Sequence, residues 1–72
     1  MGYGRNDRTY EFEARIEHKA PKSYLVELTL GGRYFVPFSQ IIEMTDPDDS
    51  GNRVFTVTEW WSKKMADFEV KD

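Results

Sequence analysis

Gly31-Gly32 sits between two apolar, strand-like runs, Tyr24 to Leu30 and Tyr34 to Val36, and constrains the fold more than any other feature of the chain. Adjacent glycines supply the positive φ that tight hairpin turns need, and those turns match the natural twist of paired strands. Tyr24, Val26, Leu28 and Leu30 share one parity, and Leu25, Glu27 and Thr29 share the other. A two-residue turn on the glycine pair would set Leu28 opposite Phe35 and leave Tyr34 and Val36 on the less apolar face. A glycine bulge would instead shift the register by one and turn both over. The sequence is compatible with either. Pro37 then ends the second run, since it has no N–H to donate to a ladder.

Further strand signals surround this hairpin. From Tyr10 to His18 the chain alternates: Tyr10, Phe12, Ala14 and Ile16 on one side, Glu11, Glu13, Arg15 and Glu17 on the other. That is the pattern of a half-buried strand with a solvated face, and its charges would discourage edge-to-edge pairing. Pro37 to Gln40 predicts a tight or 3₁₀ turn, Ile41 to Met44 a short fourth strand, and Arg53 to Val57 a fifth. The loop Thr45 to Asn52 between them is dense in Asp, Pro, Ser and Gly. Thr58 or Thr56 can cap a short helix reaching Lys64 or Asp67, with Thr56 and Glu59 at capping-box spacing. Phe68 to Val70 would add a last extended segment. Short strands joined by turns, with one late helix, predict a mainly β fold: a five-stranded barrel of SH3-like or OB-like type with one short C-terminal helix. Residues 1–7 read as a mobile leader and residues 8–72 as one small barrel domain.

A chain of 72 residues is near the lower limit for a core without staples, and with no cysteine it has neither disulfides nor thiolate metal sites. Two Trp, four Tyr and five Phe supply large buried areas per side chain in their place. No apolar run is long enough to cross a membrane as a helix, and the start of the chain lacks a secretion-type apolar region. The formal charge of −3 argues against a strongly basic, duplex-binding domain.

Catalysis is not expected. His18 is the only histidine, and no spacing joins it to a serine and a carboxylate. Asp46, Asp48, Ser50 and Gly51 resemble the start of a calcium loop, but Val57 stands where a bidentate Glu is required, so no metal and no cofactor are expected. The suggestive surface feature is the interleaving of aromatic and basic residues. Tyr34, Phe35 and Trp61 could stack bases while Arg33, Lys63 and Lys64 contact phosphates, which would make the domain a binder of single-stranded nucleic acid. Trp60 and Trp61 are adjacent, so one short helix cannot bury both; Trp60 would plug a barrel end.

Phe35-Val36-Pro37-Phe38-Ser39-Gln40-Ile41, with the later Val57-Thr58-Glu59-Trp60-Trp61-Ser62-Lys63-Lys64, resembles small uncharacterised proteins of phages and prophages. Those carry an aromatic-x-Pro-x-Ser-Gln-Ile/Val segment and a Pro-Glu-Trp-Leu-x-x-Lys-like segment. The resemblance covers residues 12 to 65 and departs at Phe38, often basic there, and at Thr58, often proline. Losing the basic residue beside Ser39 weakens a nucleic-acid role for that turn. What the resemblance implies is a phage or mobile-element protein in a bacterial cytoplasm, with no activity attached.

Two binding functions follow as expectations. The first is the single-stranded nucleic-acid module, alone or in a nucleic-acid-processing complex. The alternative is a protein-interaction module or inhibitor of a host protein, whose acidic residues Glu11, Glu13, Glu17, Asp48 and Asp49 engage a basic groove. A homodimer burying one of the tryptophans is compatible with both.

Overall fold

The computed structural model describes residues 8–71. Five strands occur in chain order: β1 (Thr9–Lys19), β2 (Ser23–Leu28), β3 (Arg33–Pro37), β4 (Ile41–Met44) and β5 (Asn52–Thr58). A 3₁₀ turn (Phe38–Gln40) joins β3 to β4, and helix α1 (Glu59–Lys64) with a second 3₁₀ turn (Met65–Phe68) follows β5. The expected leader, residues 1–7, lies outside the described residues. The strands form one antiparallel sheet in the order β3-β2-β1-β5-β4. The alternating, charged strand is therefore the centre of the sheet and not an edge. Its glutamates solvate an open face, which corrects the edge-protecting role read from the sequence.

β1 serves two neighbours in succession. Residues Thr9 to Arg15 pair with β5, and Ala14 to Lys19 pair with β2, overlapping for only two residues. A bulge between Ile16 and His18 marks the second half, and such an insertion bends and twists the strand that carries it.

The hairpin β2–β3 settles the register. Gly31 N donates to Leu28 O at 2.9 Å and Leu28 N to Gly32 O at 2.9 Å, so the loop has three residues, Thr29 to Gly31. This is the turn-plus-left-handed-glycine loop, with Gly31 at φ 106° and Gly32 at 96°. Val26 accordingly faces Tyr34, and Tyr24 faces Val36. The shift from a two-residue turn is odd in number, so Tyr34 and Val36 join Val26 and Leu28 on the apolar face. Of the two registers, the bulged kind is the one adopted.

That apolar face holds the core. Phe12, Ala14, Val26, Leu28, Val36, Phe55, Val57 and Trp61 are buried, with Ile16, Tyr24, Tyr34, Ile41, Met44, Met65 and Phe68 packed around them. Trp61 comes from α1 and lies across the sheet. Its ring meets Phe12 at 5.6 Å, Phe68 at 6.2 Å and Tyr34 edge-on at 6.4 Å. Thr58 caps the helix by accepting Trp61 N at 3.2 Å. Thr56 lies within β5, so it forms no capping box with Glu59.

The sheet is not closed into a barrel. β3 and β4 stand at opposite ends of the strand order, and no ladder joins them among the described residues. After Pro37 the chain turns away from β3, with Phe38 N still bonded back to Lys22 O at 2.9 Å, and restarts as β4 beside β5. Side chains tie β3 and the first 3₁₀ turn to α1 and the end of β5. Trp61 Nε1 donates to Phe35 O at 3.2 Å, and the Thr58 hydroxyl donates to Gln40 Oε1. The residue plugging this side is Trp61 and not Trp60.

Candidate interaction surface

The six residues expected to bind nucleic acid do not meet on one surface. Trp61 has 0% exposure, so it has no face to offer a base. Tyr34 is half-buried against Trp61, and its ring lies so close to Gly32 that a Cβ there would be 2.8 Å from Cε1. Both belong to the core, which corrects their reading as stacking platforms. Phe35 points to the opposite face of the sheet and is exposed, beside its cross-strand neighbour Leu25. Arg33 also lies there, with Nε 2.9 Å from Glu17 Oε1. Lys63 and Lys64 sit on α1, Lys63 Nζ 3.7 Å from Glu59 Oε2 one turn earlier. Odd positions of β3 thus go outward and even positions inward, while the lysines belong to a third element. The strand register scatters the set.

The acidic set fares differently. Glu11 and Glu13 project from the central strand onto the open face and are exposed. Glu11 is opposite Thr56 on β5, and Thr56 is opposite Glu43 on β4. Glu13 is opposite Val54, an exposed valine. Glu11, Glu13 and Glu43 make no ion pair among the described residues. Adjacent strands are about 4.8 Å apart, so the Glu11–Thr56–Glu43 row concentrates carboxylates without an intervening cation.

Toward β2 and β3 the same face is neutralised. Arg15 Nη2 meets Glu27 Oε1 at 2.7 Å, and Arg33 meets Glu17. Glu17 is therefore held in a pair rather than left to a partner. Asp48 is also withdrawn: its Oδ1 accepts Ser50 N and Asn52 N, both at 2.9 Å, and so holds its own loop. Asp49 is exposed at the loop tip. Among the described residues no group of His, Cys, Asp and Glu could hold a metal ion, and no helix is long and apolar enough to cross a membrane.

Two surface residues take their places only from the three-dimensional arrangement. Glu43 joins Glu11 only through the strand order, a long-range property with no local signal. Trp60 is the exposed tryptophan, at 54%, with its ring 6.4 Å from Phe68. Its exposure follows from the cap: with Thr58 as N-cap, Trp61 is the third helical residue and turns onto the sheet. Comparison with family models, with curated proteins and with solved structures finds no match for this chain.

Proposed function

We propose that this chain is a non-enzymatic binding module that presents the acidic part of its open sheet face to a basic surface on a protein partner. The observation that carries this reading is the Glu11–Thr56–Glu43 row with Glu13 beside it, unpaired among the described residues. Charges so arranged raise the rate of encounter with a basic groove and exclude acidic competitors. A host protein whose own ligand is a polyanion, such as a nuclease or a defence protein, has a groove of that kind, and occupying it would inhibit that protein. The phage or mobile-element origin and the cytoplasmic setting rest on the sequence resemblance and belong to the same proposal. The test is capture and kinetic analysis of the partner with wild-type protein and with Glu11→Lys/Glu43→Lys. The variant should associate more slowly and with weaker salt dependence. Unchanged association would place the contact elsewhere on the molecule.

A second reading has one observation in its favour. Trp60 is exposed with Lys64 four residues on, the spacing that brings helical side chains together. A stacking residue beside a cation suits single-stranded nucleic acid, although the net charge of −3 opposes it. Tryptophan fluorescence titrated with mixed-sequence single-stranded DNA should then show saturable, salt-sensitive quenching that disappears in Trp60→Ala. No quenching at low salt rejects it.

A further inference from the structure

The two edges of this sheet are treated differently. The outer side of β3 is covered by the chain's own C-terminal segment: Glu69 bridges to Tyr34, and Val70 N donates to Arg33 O at 2.8 Å. The outer side of β4 has no such cover among the described residues. Thr45 N is bonded inward to Val54 O. Backbone groups alternate in direction along an antiparallel strand, so the Met44 N–H and C=O point away from the sheet. Ile42 leaves apolar surface at the same edge, 57% exposed.

We infer that β4 is a docking edge for an extended peptide segment of a partner, one that alternates basic and apolar side chains. This deepens the acidic-face reading and rests on it. A strand added beyond β4 would continue the Glu11–Thr56–Glu43 row, and its residue neighbouring Glu43 would be the cation that the row lacks. Residues of the other parity would lie beside Met44, which packs against the core, and would extend that apolar layer. Main-chain bonds supply affinity in this mode and alternate side chains supply specificity. A second copy of the chain fits the edge poorly, because antiparallel self-pairing would bring one Glu43 near the other, and like charges across strands repel. The shortness of β4 and its bulge at Ile42 also discourage indiscriminate pairing. The charge selects the guest.

The probe is an acetylated, amidated hexapeptide alternating lysine and valine. Two controls accompany it: its glutamate–valine counterpart, and the lysine peptide N-methylated on the residues that would pair with Met44. With the lysine peptide at about ten times its Kd, exchange of the Met44 amide should slow about tenfold, because only the unoccupied fraction exchanges. The methylated peptide keeps its charge and should leave that amide unprotected. Glu43→Lys should transfer preference to the glutamate peptide. If both lysine peptides bind equally and Met44 exchange is unchanged, edge pairing is overturned while the acidic face stands as the contact. If neither binds and no amide near Glu11, Glu13 or Glu43 responds, the edge and the acidic face fall together. Met44 protection that grows with protein concentration without peptide would show a second copy to be the occupant, against the inference.

Discussion

Asp48 and Leu28 hold equivalent places in two hairpins built on one plan. In each, the residue accepts from the glycine three positions on and donates to the residue after that glycine: Gly51 and Asn52 for Asp48, Gly31 and Gly32 for Leu28. The glycines carry the positive φ that the third loop residue requires, 86° at Gly51 and 106° at Gly31. Asp48 adds side-chain bonds that Leu28 cannot make, so Asp48→Ala should cost about 1–2 kcal/mol in chemical denaturation by removing acceptors from two backbone donors. Gly32→Ala should be worse tolerated than Gly31→Ala. Both strain a positive φ, at about 1–3 kcal/mol, but only the Gly32 substitution also meets the Tyr34 ring, whereas a Cβ at Gly31 meets nothing within 4 Å. Comparing the melting temperatures of the two variants checks the order. The glycine pair was legible as a turn from sequence. Its three-residue length was not, because that depends on Leu28 accepting from Gly31 rather than Leu30 pairing with Arg33.

At the scale of elements, α1 is too short to be stable alone and is held by its ends and by one side chain. The Thr58 hydroxyl accepts from Trp61 N while donating to Gln40, and the Trp61 indole reaches Phe35 O. The Phe35–Ile41 and Val57–Lys64 segments, distant in sequence, thus lock together in space. Thr58→Ala should cost about 1 kcal/mol and shift the tryptophan fluorescence of Trp61 toward that of a more solvated ring. A Gln40→Ala change on the Thr58→Ala background should add less than it does alone, since both delete one network. The sequence showed that a helix begins near Thr58. It could not show which tryptophan turns inward, because a helix of six residues is too short for apolar periodicity to set its phase. The cap sets it.

At the scale of the molecule, the sheet separates what stabilises from the face on which the proposed contact lies. One face carries the core and α1; the other carries paired charges at one end and, at the other, carboxylates without an ion pair among the described residues. Glu11→Lys should leave the melting temperature unchanged or slightly higher while slowing partner association, since Glu11 makes no ion pair among the described residues to lose. A fall in both together would mean that Glu11 supports the fold. The mainly β class, the five strands and the late helix were legible from alternation and turn residues. The strand order is not legible there: the same alternation fits a closed barrel as well as an open sheet, and it does not set Glu43 in the row of Glu11. Local pattern says which way a side chain points, and only long-range pairing says what stands beside it.

The division of β1 between two neighbours also bears on how the chain assembles. β2 follows β1 closely, but β5 is the last strand made, so Thr9 must wait for Thr58. The two hairpins close over short loops and can form early, whereas joining them through the first half of β1 spans most of the chain and is entropically slow. Until then Tyr10 and Phe12 belong to an unpaired strand, the kind of segment on which aggregation begins. The glutamates interleaved with them act as gatekeepers during that interval. The carboxylates that the proposed partner would meet on the finished protein are thus the ones that keep its central strand apart from other chains while it is being built.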